Sequence, residues 1–111
     1  MSTQVGKWGE ELVATELGRR KHTLIQLNWR TRWCEIDVIT KRKKTVYFTE
    51  VKTRSNASYG SGFAYITPKK LQQMRFAAER WLHEQKWRGD ARLCAAEVDA
   101  DGSVEIIDLD F

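Results

Sequence analysis

The stretch WCEIDVITKRKKTVYFTEVKTR, residues 33–54, decides the fold. It carries two alternating runs separated by the basic tetrapeptide 41–44, the pattern of two antiparallel strands joined by a tight turn. Successive side chains of a strand point to opposite faces. Glu35 and Asp37 therefore share one side of the first strand, and Ile36 and Val38 the other. Val46, Phe48, Glu50 and Lys52 share one side of the second. Pairing as a hairpin brings Asp37 and the Glu50/Lys52 pair together at the end away from the turn.

Two unit charges about 4 Å apart repel by roughly 4 kcal/mol at an effective dielectric near 20, so gathered carboxylates call for a compensating cation. With oxygen ligands only and no His or Cys beside them, the cation that suits is Mg²⁺ or Mn²⁺ rather than zinc. The plainer reading is a surface hairpin with solvated charges, in which Lys52 simply pairs with Glu50. The alternation alone leaves both open.

Outward from the hairpin, the chain of 111 residues is sized for one domain, residues 1–111, and its 41% apolar share is enough for a core. Nineteen Lys and Arg against fifteen Asp and Glu give a net charge of +4. The pI is near 9.2, a mild bias towards polyanions. That bias is local, concentrated at residues 19–21, at Arg30 and Arg32, and at residues 41–44, whereas the tail from Glu97 onward is acidic. Cys34 and Cys94 form no metal-binding or disulfide spacing, which fits a reducing compartment. No apolar run reaches the roughly 20 residues needed to span a bilayer, and MSTQVGKWGEE lacks the apolar segment of a signal peptide. The expectation is a cytoplasmic protein with no membrane partner.

Residues 3–20 space Val5, Trp8, Leu12, Val13 and Leu17 as one face of a helix. Glu10 falls beside that stripe, as does Glu16, and helical position alone favours a solvated rim carboxylate for each. Residues 23–27 form a first strand, 28–32 a basic aromatic turn, and 35–40 and 46–51 the two hairpin strands. The loop 55–66 carries Tyr59, Phe63 and Tyr65, which could stack on bases or pack over the sheet. Thr67 and Pro68 open a second helix over 68–87, with Leu71, Met74, Ala77, Ala78, Trp81 and Leu82 inward and Gly89 as its stop. Strands 91–98 and 103–109 follow, separated by the turn 99–102. The link from 46–51 through the helix to 91–98 is long enough for a parallel crossover. The order is αβββαββ, an α/β domain with a mixed sheet flanked by helices.

A leading-helix Glu, an Asp in the second strand and Glu-x-Lys in the third, in this order of elements, resemble the PD-(D/E)xK nuclease superfamily, also called restriction-endonuclease-like. More narrowly, GKWGEELVATEL, NWR, CEIDVI, FTEVKTR and KLQQMRFAA resemble the YraN-like family of small bacterial proteins, itself similar to archaeal Holliday-junction resolvases. The likeness runs from Gly6 to Leu82. It implies catalytic roles for Glu10, Asp37, Glu50 and Lys52, with a Mg²⁺ or Mn²⁺ held by Asp37, Glu50 and the Val51 carbonyl. Lys52 would then orient a water or stabilise charge on the phosphate, and Glu10 would anchor outer waters or a second ion. Asn28, Arg30, Arg54 and Lys70 fall on polar positions of the family. Cys34 stands where the family usually has Gly, and His22 replaces a Gly at the helix-to-strand turn.

The expected function is a metal-dependent DNA endonuclease, with branched or damaged DNA as the target the resemblance implies and RNA left open. A homodimer would be the simplest way to cut two strands symmetrically. The alternative is a non-catalytic nucleic-acid-binding module using Arg30, Arg32, Lys43 and Arg54 on phosphates. A third reading makes Trp29, Trp33 or Trp87 part of a protein-interaction surface.

Overall fold

In a computed structural model that describes residues 4–54 and 62–109, the chain runs α1 (Gln4–Arg19), β1 (Thr23–Arg30), β2 (Glu35–Arg42), β3 (Thr45–Thr53), a 3-10 turn (Gly62–Tyr65), α2 (Pro68–Gln85), β4 (Asp90–Val98) and β5 (Val104–Leu109). Tyr59 lies outside the described residues. The strands form one sheet in the order β1-β2-β3-β4-β5. The β3–β4 pair is parallel and the other three pairs are antiparallel, so the sheet is mixed as expected.

Each helix covers one face of the sheet, because alternate strand residues are apolar on both sides. Met74, Ala77, Ala78 and Trp81 of α2 pack on Val46, Phe48 and Leu93, with the Trp81 ring edge-on to Phe48 at 5.5 Å between centroids. Val13 and Leu17 of α1 pack on Val38, Ala96 and Val98. Val5 and Trp8, expected inward, are instead exposed, because α1 meets the sheet only from Gly9 onward. Among the described residues no helix is long and apolar enough to cross a membrane.

Several boundaries move for local reasons. Expected to end at 27, β1 continues to Arg30, so most of the anticipated 28–32 turn is strand and Trp29 is a core residue. The β2–β3 turn tightens to Lys43 and Lys44, closed by the Arg42–Thr45 rung, with Lys43 taking φ +56°. Thr67 caps α2 by accepting the Lys70 N–H, as its sequence predicts. The stop is Lys86 in the left-handed conformation, not Gly89, which packs under the Trp87 ring and against the Lys44 carbonyl. At the end of α1 the left-handed residue is Lys21, so His22 needs no glycine-like backbone. Its ring instead meets Tyr47 and hydrogen-bonds Thr40.

Candidate active site

The strands that carry the acids do not keep their alternation. Leu27 pairs with Val38 and Trp29 with Ile36. The first pair packs in the α1 core and the second in the α2 core, although strict alternation would put all four on one face. Between the two rungs stand Asn28 and Asp37. Asn28 takes φ +53°, a left-handed conformation that Asn tolerates better than most residues, and the face exchange occurs there. The expectation that Ile36 and Val38 share a face is thereby corrected.

Beyond Val38–Thr49 the β2–β3 ladder stops. Asp37 Oδ2 accepts the Val51 N–H at 2.8 Å, so a side chain occupies the place of the next backbone acceptor. Burial pushes the Asp37 carboxyl up to about 7, and the neighbouring Glu50 charge adds to the rise. The Val51 N–H offsets part of it, while Glu10 and Glu35 contribute further repulsion. Four carboxylates are thus close enough to sense one another. Among the described residues, however, no three His, Cys, Asp or Glu side chains converge as a ready-made metal-binding group. Asp37 and Glu50 are the two acids whose charges meet most strongly at this end of β3.

Glu10 is buried rather than a solvated rim residue, correcting what helical position alone favours. Gly9 brings it there: a Cβ at Gly9 would collide with Thr53 Oγ1, so glycine lets α1 lie directly on the end of β3. Asn28 Nδ2 donates to Glu10 Oε1, joining the left-handed residue of β1 to the acid of α1. Burial raises the Glu10 pKa, the Asn28 hydrogen bond opposes the rise, and the charges of Glu35 and Glu50 favour it.

Lys70 Nζ lies 2.9 Å from the Glu50 carboxylate, so the cation paired with Glu50 comes from the first turn of α2. Lys52 is exposed on the same sheet face as Glu50 and stands beside Glu97 in the β3–β4 register. Arg54 is committed to the buried Glu97 at 2.8 Å and reaches Asp99 at 4.0 Å. Arg30 pairs with Glu35 at 3.4 Å, and exposed Arg32 lies against the Trp33 ring at 5.3 Å. Lys43 sits at the far tip of the hairpin, just beyond the Arg42–Thr45 rung that ends β2, and is not brought to the acids. Cys34 keeps an ordinary negative φ, so a side chain fits where the family glycine was expected. Its Sγ rests 3.3 Å from Thr31 Oγ1.

One residue of the cluster, Glu97, was not singled out from the sequence. Glu97 is a buried carboxylate in the apolar second half of β4; a lone acid in LCAAEV was a readable signal, hidden by its lying next to an acidic tail. Of the two fates open to Tyr65, the structure shows packing over the sheet: it donates its hydroxyl to the Ala96 carbonyl at 3.0 Å. Burial, then the charges of Glu50, Glu97 and Asp37, drive that hydroxyl above the usual tyrosine range, which places it against the same cluster.

Beside the acids runs an open groove of about 710 Å³ between the β1–β2 turn and α2, lined by Arg30, Trp33, Cys34, Glu50, Lys69 and Lys70 among others. Among the described residues its lining carries three cations, Arg30, Lys69 and Lys70, against two acids, Glu35 and Glu50, so it is mildly cationic and a polyanion lying there would pass the carboxylates.

The family model described as "Uncharacterised protein family UPF0102" matches residues 9–100, a span that takes in Glu10, Asp37, Glu50 and Lys52. A UPF0102 protein of Parafrankia sp. is 39% identical over 84 residues, covering 76% of this chain and 71% of that protein. One of Geobacter metallireducens is 33% identical over 107 residues, 96% of this chain and 80% of its own length. A third, from Mycobacterium avium, is 37% identical over 101 residues, 89% of this chain and 76% of its own.

Proposed function

The chain belongs to the uncharacterised protein family UPF0102, and from that premise we propose that it is a divalent-metal-dependent DNA endonuclease of the cytoplasm, built on the restriction-endonuclease-like plan. Branched or damaged DNA, by similarity to archaeal Holliday-junction resolvases, is the proposed target. One observation carries the reading: Asp37 is fastened to the Val51 N–H and buried against Glu50, at the point where the strand pairing ends. Acids held where their own charge is opposed cluster at functional sites, and an arriving cation relieves that opposition.

The residues fit a hard divalent cation. Asp37, Glu50 and the Val51 carbonyl offer oxygen only, and an acid pushed up to about 7 by burial and a neighbouring charge is relieved when a cation arrives. Bound there, Mg²⁺ or Mn²⁺ would polarise the phosphate and lower the pKa of a water. The chain supplies the rest. Lys52, exposed beside the acids, orients the attacking water or steadies charge on the phosphate. Glu10, set by Gly9 and held by Asn28, anchors the surrounding waters. Lys69 and Arg30 of the groove draw in the phosphate backbone.

Cleavage of end-labelled duplex, single-stranded and four-way-junction DNA with Mg²⁺, Mn²⁺ or EDTA tests the proposal against Asp37→Ala. Metal-dependent cutting that the substitution abolishes is the expected result. Failure of either metal to bind at millimolar concentration would sink it.

A second reading, a nucleic-acid-binding module without catalysis, is favoured by the Lys70–Glu50 pair, since an ammonium already neutralises one proposed ligand. Salt-sensitive binding without cutting, with a log-log slope of about −0.9 per phosphate contact on duplex DNA, would select it.

A further inference from the structure

Trp33 is 63% exposed, more than any other large hydrophobic side chain among the described residues, yet it is not loosely held. Its turn is tied by three hydrogen bonds: the Thr31 N–H to the Cys34 carbonyl at 2.8 Å, and the Trp33 and Cys34 N–H groups to Thr31 Oγ1 at 3.1 Å each. A rigid turn therefore presents a large ring to solvent. Two guanidinium groups lie against that ring, Arg32 at 5.3 Å and Arg80 at 5.0 Å from its centroid. Phe76, 51% exposed, is one helical turn before Arg80 and lines the same groove.

Exposed flat rings cost free energy in water unless something covers them, and here the surroundings state what kind of partner that is. Among the described residues, Arg32, Arg80, Lys69 and Arg30 put four cations around the rings against two acids, Glu84 paired with Arg80 at 3.3 Å and Glu35 paired with Arg30 at 3.4 Å, and that excess repels a basic surface and attracts a polyanion. A paired base inside a duplex offers only its edge, whereas an unpaired base offers a π-face. The occupant that satisfies both the rings and the cations is therefore an unpaired nucleobase with its flanking phosphates.

Resting on the nuclease reading above, we infer that Trp33 and Phe76 form a stacking platform for an unpaired base of DNA in the groove that Glu50 lines. An incoming base takes the place of one guanidinium on the Trp33 ring, and that guanidinium moves to the adjoining phosphate. The platform makes an interrupted duplex, not an intact one, the preferred ligand.

The test is binding in EDTA, where no cleavage can contribute. A short duplex with one unpaired 2-aminopurine is compared with the same duplex fully paired, for wild type, Trp33→Ala and Trp33→Phe. Wild type should bind the interrupted duplex about ten-fold more tightly, the scale of one stacked base, and quench 2-aminopurine fluorescence. Trp33→Ala should lose that preference, read as the ratio of the two affinities, and Trp33→Phe should keep most of it. Equal binding of both duplexes by wild type overturns the platform and leaves metal-dependent cleavage standing. No binding to either duplex at low salt, in EDTA and equally with Ca²⁺ in its place, overturns the nuclease reading and the platform together.

Discussion

Asp37 Oδ2 and the Val51 N–H, 2.8 Å apart, close the β2–β3 pairing with a side chain where a backbone carbonyl would be expected. The bond fixes the carboxylate at the end of β3, next to Glu50, and burial makes the charge expensive there. An acid whose folded pKa is raised to about 7, against an ordinary 3.8, favours the fold when protonated. Its contribution is fullest below pH 3.8 and is lost as the pH rises through 7. Asp37→Asn keeps an oxygen to accept the Val51 N–H and removes the charge. It should therefore match wild type in stability near pH 4 and exceed it by on the order of 2–4 kcal/mol at pH 8, read from urea unfolding at the two values. A variant equally stable relative to wild type at both would mean the carboxylate is not strained.

The same proton competes with the proposed cation. Below pH 7 the metal must displace a proton from Asp37, so Mn²⁺ affinity should fall about ten-fold per pH unit there and level off above. Calorimetric titration between pH 5.5 and 8.5 measures this. Replacing Glu50 by Gln removes a repelling neighbour, lowers the Asp37 pKa and should move the break in the curve to lower pH.

Gly9 is the place where the helix is allowed to touch the sheet. A methyl group at this position meets Thr53 Oγ1, on a short β-branched side chain with a restricted choice of rotamers. Gly9→Ala should cost about 1–3 kcal/mol despite the better helix propensity of alanine. If the variant is instead as stable as wild type, α1 can rise off β3 without penalty. Cleavage should fall in either case, because Glu10 rides on the same turn.

Period and spacing revealed both helices, all five strands and the parallel crossover, because each element carries its own apolar stripe. What they could not show was the exchange of faces at Asn28 and Asp37. That exchange depends on one residue adopting a left-handed backbone, and neither period registers it. Burial of Glu10 was hidden for a related reason: helical phase placed it at the rim, and only the close approach over Gly9 turns the rim into interior. The Lys70 contact with Glu50 joins elements twenty residues apart through tertiary packing, which no local pattern encodes.

Lys70 decides how ready Glu50 is to accept a cation. At 2.9 Å its ammonium already satisfies the carboxylate, so an arriving Mn²⁺ must displace it. The pair is part-buried, which makes the attraction stronger than at an open surface but short of a sealed interior. Lys70→Met keeps the apolar stem along the groove and removes the charge. Glu50 then repels Asp37 without opposition, and both favour a metal more. Mn²⁺ should bind the variant about three- to ten-fold more tightly, a gain of about 1 kcal/mol, in calorimetry at pH 8. Cleavage at saturating metal should nevertheless fall, since the groove loses a cation that meets the phosphate backbone once Glu50 is released. Weaker metal binding in Lys70→Met would show instead that the lysine organises Glu50 for the ion rather than standing in for it.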